Sequence, residues 1–174
     1  MVTTTNVLDI SRREADIAIC IDNNPPDTLV GKRLFPYYQT AYASEGYLAS
    51  HDVERAPQDA WLLAWRRFDD RFPPWKKSLG FGDVPLWGYL PDPALQVAAA
   101  KGGLGIAILP CVLGDAEPGL VRASALKPTK AWEIWLLTHS DLRKTARIRA
   151  FMDYAESVMR KAKTQFQGDL WQGL

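Results

Sequence analysis

The sequence predicts an α/β fold with parallel strands, and two adjacent segments carry that prediction. Ile106-Ala107-Ile108-Leu109 is an unbroken apolar run, which is typical of a strand buried on both faces. Before it, Asp92-Pro93 precedes apolar residues 94–100. This pattern predicts a helix that is capped by Asp92 and begins at Pro93. Gly102-Gly103 ends that helix, because glycine adopts the left-handed backbone that helix ends often need.

Three further stretches predict the rest of the sheet. Asp16 to Ile21 has one acid followed by apolar residues, so it predicts a buried parallel strand. Leu29 to Phe35 and Tyr37 to Ser44 are predicted to be extended, with Pro36 between them, and Trp132 to Thr138 predicts another strong strand. Shorter predictions are a strand at Thr3 to Thr5, a helix or turn at 8–14, a helix at 45–51 capped by Ser44, a short strand at 87–90, a helical turn at 111–115 and an irregular connection at 66–82.

The longest helix is expected near the carboxyl end, with Ser140 or Asp141 as its cap. Its apolar side chains recur at helical spacing and so share one face: Ile148, Phe151, Met152, Ala155 and Met159.

Composition limits the function classes. The chain has 174 residues, 47% apolar and 24% charged, with 21 basic against 20 acidic residues and a net charge of +1. This length suits one domain or two small lobes. The near-neutral charge offers no general attraction to nucleic acid or to an anionic membrane. No apolar stretch is long enough for a membrane span and no secretion signal is visible, so we expect a cytoplasmic protein with Cys20 and Cys111 as reduced, buried thiols.

Nothing in the sequence points to catalysis. The two histidines, His51 and His139, have no serine, cysteine or aspartate at a recognisable motif spacing. The acids and histidines form no metal-ligand pattern, and the glycines at 102–105 follow a helix and enter a strand, the reverse of a phosphate loop. We therefore expect no enzyme, no catalytic or metal-binding residues and no cofactor.

Several motifs in a fixed order resemble one known family. They are Arg-Arg-Glu-Ala-Asp-Ile-Ala-Ile at 12–19, Tyr-Ala-Ser-Glu-Gly-Tyr-Leu at 42–48, Gly-Leu-Gly-Ile-Ala-Ile-Leu-Pro at 103–110, Glu-Pro-Gly-Leu-Val at 117–121, and the strand at 132–139 followed by Asp-Leu-Arg. Over residues 2–162 this order resembles the effector-binding domain of LysR-type transcriptional regulators. The resemblance implies a two-lobed, periplasmic-binding-protein-like (type 2) α/β fold with Rossmann-like lobes.

On that template the first lobe comprises residues 1–38 and 123–162, and the second comprises 45–117. The chain crosses between the lobes at 39–44 and 118–122, and 163–174 forms a tail. Family members begin with a winged helix-turn-helix, a linker helix and the first strand and helix of the effector domain, which this sequence lacks. We therefore expect a first lobe truncated at its amino-terminal side, with DNA binding only through the missing domain.

The resemblance implies a regulatory domain that senses a small effector, an organic acid, in the cleft between the lobes, within a homo-oligomer and without a membrane partner. Two alternatives remain open. One is a truncated remnant that does not bind ligand and only oligomerises, and the other is a solute-binding protein of the same fold.

Three places are candidates for contact with the effector. The loop containing Asn23 and Asn24 leaves a strand and offers side-chain amides, although local Asx bonds would also explain it. Tyr38 and Thr40 lie on the first crossing, where plain packing is the alternative. Leu90-Pro91-Asp92 precedes a helix whose free amides could bind a ligand, but the carboxylate of Asp92 would occupy the same amides as an ordinary N-cap.

Overall fold

The computed structural model describes residues 15–64 and 74–169, which divide into two compact units. Unit 1 contains residues 15–37 and 131–164, and unit 2 contains 38–64, 74–130 and 165–169. The predictions for Thr3 to Thr5 and for 8–14 lie outside the described residues, as does part of the predicted irregular connection. No helix in the described ranges is both long and apolar enough to cross a membrane.

The described part of the chain forms seven strands and six α-helices. The strands are β1 Ile17–Ile21, β2 Leu29–Ala43, β3 Leu62–Ala64, β4 Leu86–Tyr89, β5 Ile106–Pro110, β6 Val121–Arg122 and β7 Thr129–His139. The helices are α1 Glu45–Ser50, α2 Pro74–Ser78, α3 Pro93–Lys101, α4 Cys111–Gly114, α5 Ala146–Lys161 and α6 Lys163–Gln167. Short 3-10 helices occupy Pro57–Asp59 and Ser140–Leu142.

Unit 2 is built around the predicted buried strand. β5 pairs in parallel with β3, which pairs in parallel with β4, so the predicted parallel strands are confirmed here. The last part of β2 runs antiparallel to β5 and also to the short β6. Residues 106–109 of β5 are each at most 1% exposed. Their side chains alternate between two apolar clusters, one containing Ala41, Leu62, Ile106 and Ile108 and the other containing Tyr42, Leu63, Ala107 and Leu109.

Unit 1 corrects the prediction for β1. The strand exists, but it pairs antiparallel with β7 rather than in a parallel sheet. It is also not buried, since Ile19 is 56% and Ile21 54% exposed. Within the described residues β1 has β7 as its one paired neighbour. An end position of this kind leaves an apolar strand partly open to solvent. Cys20 is accordingly half-buried and not buried as expected, whereas Cys111 is buried, and both are free thiols.

Other corrections concern element boundaries. β2 is one strand of fifteen residues and continues through Pro36, where a break was expected. α5 begins at Ala146 after Thr145, and not after Ser140 or Asp141, because those residues form a separate 3-10 turn. Part of the predicted irregular connection is helical, as α2, and part of the predicted tail is helical, as α6.

Candidate ligand-binding site

One edge of the unit 2 sheet gathers most of the predicted site residues. β3, β4 and β5 are parallel, so their carboxyl ends meet at the same edge. Leu90 follows β4 there, and its backbone N–H donates to the carbonyl of Ala64 at the end of β3 (2.9 Å). Thr40 pairs with Leu109 near the end of β5, which brings β2 to this edge as well. The sheet therefore places Thr40 and the segment Leu90-Pro91-Asp92 at the edge where ligands bind in open α/β sheets.

Asp92 begins α3 as the sequence predicts. Its Oδ1 accepts hydrogen bonds from the backbone N–H groups of Ala94 (2.7 Å) and Leu95 (3.2 Å), and Pro93 occupies the first helical position. The carboxylate thus satisfies two of the free amides of the first turn and places a negative charge beside the helix start. An anionic ligand group is therefore disfavoured at this point.

Gln96 is a buried polar residue at the same edge that the sequence interpretation missed. Its side chain is fully buried, and its Nε2 donates to the carbonyl of Leu90 (2.9 Å). Its Oε1 is buried and has no hydrogen-bond partner among the described residues. The signal was present in the sequence, since Gln96 is the one polar side chain within the apolar run 94–100. Its amide fixes the segment that joins β4 to α3.

Thr40 also carries an unpaired polar atom. The residue is 0% exposed, and its Oγ1 finds no hydrogen-bond partner in the described chain. A buried hydroxyl without a partner costs stability relative to an apolar group of the same shape. Tyr38, two residues earlier on β2, is only half-buried.

Asn23 and Asn24 lie in unit 1, in the exposed turn after β1. The Asn24 N–H donates to Asp22 Oδ1 (2.9 Å), which is the local Asx bond that was the alternative explanation of this loop. Asn23 Oδ1 accepts from the N–H of Glu133 on β7 (3.2 Å), and Trp135 Nε1 donates to the carbonyl of Asp22 (2.9 Å). The turn is therefore fastened to β7, while the side-chain NH₂ groups of both asparagines remain at the surface.

A shallow cavity of about 300 Å³ lies at the opposite edge of the unit 2 sheet, near the start of β5. It is lined by residues that include Ser44, Ser50, His51 and Lys101. The His51 ring stacks on Tyr47, and Lys101 is paired with Glu117. None of the predicted site residues lines this cavity. In the described chain no group of three or more histidine, cysteine, aspartate or glutamate side chains could hold a metal ion.

A buried polar cluster joins α4, β2 and β6 in unit 2. Tyr42 Oη donates to Asp115 Oδ1 (2.8 Å), and Arg122 binds both oxygens of Asp115 through Nε (2.8 Å) and Nη2 (2.6 Å). Burial raises the pKa of Tyr42 well above its usual range and that of the Cys111 thiol to about 11. Burial lowers the pKa of Arg122, but its hydrogen bonds to Asp115 outweigh that effect and raise it. The cluster holds Arg122 charged and Cys111 and Tyr42 neutral.

The family model for the LysR substrate binding domain matches residues 1–160. The chain belongs to this family. LysR-type proteins are transcription regulators rather than enzymes, and they bind small-molecule effectors and DNA and are typically oligomeric. A curated relative, the probable HTH-type transcriptional regulator LtrA of Klebsiella pneumoniae, is 29% identical over 167 residues. That match covers 87% of this chain and 53% of the relative, so the chain spans about half of the relative's length.

Solved structures agree on the fold. The AmpR effector-binding domain of Citrobacter freundii has a TM-score of 0.70 at 17% identity, covering 90% of this chain and 80% of the AmpR chain. The AmpR effector domain of Pseudomonas aeruginosa has a TM-score of 0.67 at 19% identity, with coverages of 91% and 80%. The CrgA regulatory domain of Neisseria meningitidis has a TM-score of 0.65 at 20% identity, with coverages of 89% and 80%. The predicted periplasmic-binding-protein-like α/β fold is confirmed.

Proposed function

We propose that this chain senses a small organic acid that binds between units 1 and 2, the two units acting as the lobes of a LysR-type effector domain. The observation that carries the proposal is the sheet edge at which Thr40, with its unpaired buried hydroxyl, and Leu90-Pro91-Asp92 meet. A polar group that lowers stability and has no partner in the fold is more readily explained by a task outside the fold.

The charges suggest an orientation for the ligand. Asp92 already occupies the first amides of α3 and would repel a carboxylate there. The exposed amides of Asn23 and Asn24 carry no charge and can donate to a carboxylate. We therefore place the acid group of the effector on the asparagine turn and its uncharged end at the edge near Thr40. Tyr38, half-buried on β2, would line the space between them.

Regulation follows from differential affinity. An effector that binds one arrangement of the two lobes more tightly shifts the population toward that arrangement. The relative is named as HTH-type and this chain spans about half of it. DNA recognition is accordingly assigned to a helix-turn-helix domain outside the matched half. A homo-oligomer in the cytoplasm completes the proposal.

The test is a thermal-shift series on the purified chain with acetate, lactate, succinate and benzoate, followed by calorimetry for any acid that stabilises it. We expect at least one acid to raise the melting temperature by mass action on the folded state. Thr40→Val should leave the melting temperature of the free chain unchanged or raised, because it removes an unpaired buried hydroxyl. The same variant should weaken the ligand-induced rise.

Thr138→Val is the matched control. Thr138 is also fully buried, but its Oγ1 donates to the carbonyl of Asp16 in unit 1 (2.7 Å). Its replacement should lower the stability of the free chain and leave the ligand-induced rise intact. A rise that survives Thr40→Val would remove Thr40 from the site. The absence of stabilisation by every acid would reject the organic acid.

A further inference from the structure

The polar cluster of unit 2 lies beside each point at which the chain passes between the two units. β2 leaves unit 1 for unit 2 between residues 37 and 38, and Tyr42 follows five residues into unit 2. The chain returns to unit 1 between 130 and 131, after β6 with Arg122. It enters unit 2 once more between 164 and 165, just before Gly168.

One guanidinium group connects all three segments. Arg122 lies opposite Tyr42 in the β2–β6 pair, and both residues bind the carboxylate of Asp115. The Nη2 of Arg122 also donates to the carbonyl of Gly168 (3.3 Å). The Arg122 side chain is 11% exposed and that of Asp115 is 20% exposed. Solvent therefore screens this pair much less than an ion pair on the surface.

Gly168 fits its position for a steric reason. Its φ is +69°, in the left-handed region that favours glycine. A Cβ added to it would lie 2.8 Å from Cys111 Sγ and 3.1 Å from Pro128 Cγ. The last described residues are thus seated in a niche formed by α4, β6 and the segment before β7, and no larger residue enters that niche without displacing its walls.

We propose that Tyr42, Asp115, Arg122 and Gly168 form a lock that ties the three inter-unit passages together and limits the relative motion of units 1 and 2. Hinge motions are absorbed by a few residues that change φ and ψ. With β2, β6 and the carboxyl-terminal segment fixed to one carboxylate and one guanidinium, motion must be absorbed outside the cluster. The lock acts with or without a ligand, so it is independent of the proposed effector.

The test measures the distance between spin labels on the two units. The full chain carries Cys20→Ser, Glu54→Cys in unit 2 and Arg149→Cys in unit 1, since both label positions are exposed. Cys111 is retained because its thiol is fully buried. Gly168→Ala is compared with Gly46→Ala, whose added Cβ meets nothing within 4 Å. Pulsed electron resonance gives the distance distribution and hydrogen exchange gives the attachment of residues 165–169.

Gly168→Ala should accelerate exchange in residues 165–169 by about tenfold, from the cost of a left-handed alanine, and should broaden the distance distribution. Gly46→Ala should do neither. Arg122→Lys keeps the charge but loses the planar fork, so it should broaden the distribution as well and serves if Gly168→Ala does not fold. Faster exchange with an unchanged distance distribution overturns the proposal, and so does a Gly168→Ala chain whose residues 165–169 exchange as in the parent.

Discussion

β5 in unit 2 and β1 in unit 1 are both five-residue apolar strands, yet their surroundings differ. β5 lies between β2 and β3, and residues 106–109 are covered on both faces. β1 has β7 as its paired neighbour in the described chain, and Ile19 and Ile21 are more than half exposed. An apolar run therefore reports the strand but not its burial, because burial depends on which elements pack beside it.

The comparison is sharpest when the same substitution is made in both strands. Ile108→Ala removes a side chain that is 1% exposed and leaves a cavity, so we expect the free energy of unfolding to fall by about 3 kcal/mol. Ile19→Ala removes a side chain that is 56% exposed and should cost less than about 1 kcal/mol. Urea unfolding followed by circular dichroism measures both. Equal losses would show that β1 is covered in solution.

Alkaline pH should weaken unit 2 through Cys111. Its folded pKa of about 11 exceeds the ordinary value of 9.0, so the folded chain keeps a proton that the unfolded chain has lost. This contribution is fully present below pH 9 and is lost as the pH rises to about 11, by roughly 2 kcal/mol. Burial also raises the pKa of Cys20 in unit 1. Urea midpoints from pH 8 to 11 should show a slope that Cys111→Ala reduces more than Cys20→Ala does.

Helix caps give a smaller contrast between the units. Asp92 accepts two backbone hydrogen bonds at the start of α3 in unit 2, whereas the N-cap of α5 in unit 1, Thr145, makes no side-chain cap bond. Asp92→Ala should lower the free energy of unfolding by about 1 kcal/mol, and Thr145→Ala should leave it nearly unchanged. Thermal unfolding of the two variants decides the matter, and a larger loss for Thr145→Ala would contradict this account of the caps.

The smallest effect is expected at the surface of unit 1. Lys32 pairs with Glu156 (2.6 Å) and Asp153 (2.9 Å), and its hydrogen bond to Glu156 lowers the pKa of that carboxyl. The stabilisation is present above the ordinary glutamate pKa of 4.5 and is lost as the pH falls through the lower folded pKa. Because Lys32 is 43% exposed, Lys32→Met should cost only a few tenths of a kcal/mol at pH 7. Thermal unfolding at pH 7 and pH 3 should show the difference vanish at the lower pH.

The sequence predicted local features well where the determinants are local. The capped helix from Pro93, the glycines after it and the buried run at 106–109 follow from propensity and spacing, and the structure confirms them. Thr145 as the start of α5 could not be predicted, because the 3-10 turn at Ser140–Leu142 competes with a longer helix. Pro36 was expected to divide two extended segments, but β2 continues through it.

The candidate site was predictable only in part. Thr40 and Asp92 were identified from their place on a crossing strand and before a helix. That they share one sheet edge depends on the parallel pairing of β3 with β4 and β5, which sequence spacing does not specify. Gln96 was missed because its amide bonds back to Leu90, six residues earlier, a contact that requires the folded turn between β4 and α3.

The division of the chain also has a consequence for the order of folding. The strands and helices of unit 2, apart from its short carboxyl-terminal segment, lie in one stretch from residue 38 to 130, whereas unit 1 is assembled from two stretches on either side of it. β1 can meet β7 only after that whole intervening stretch has been brought together, at an entropic cost that grows with loop length. During synthesis the residues of unit 2 emerge before β7 is complete. We therefore expect unit 2 to fold first and to act as the template that shortens the loop for unit 1.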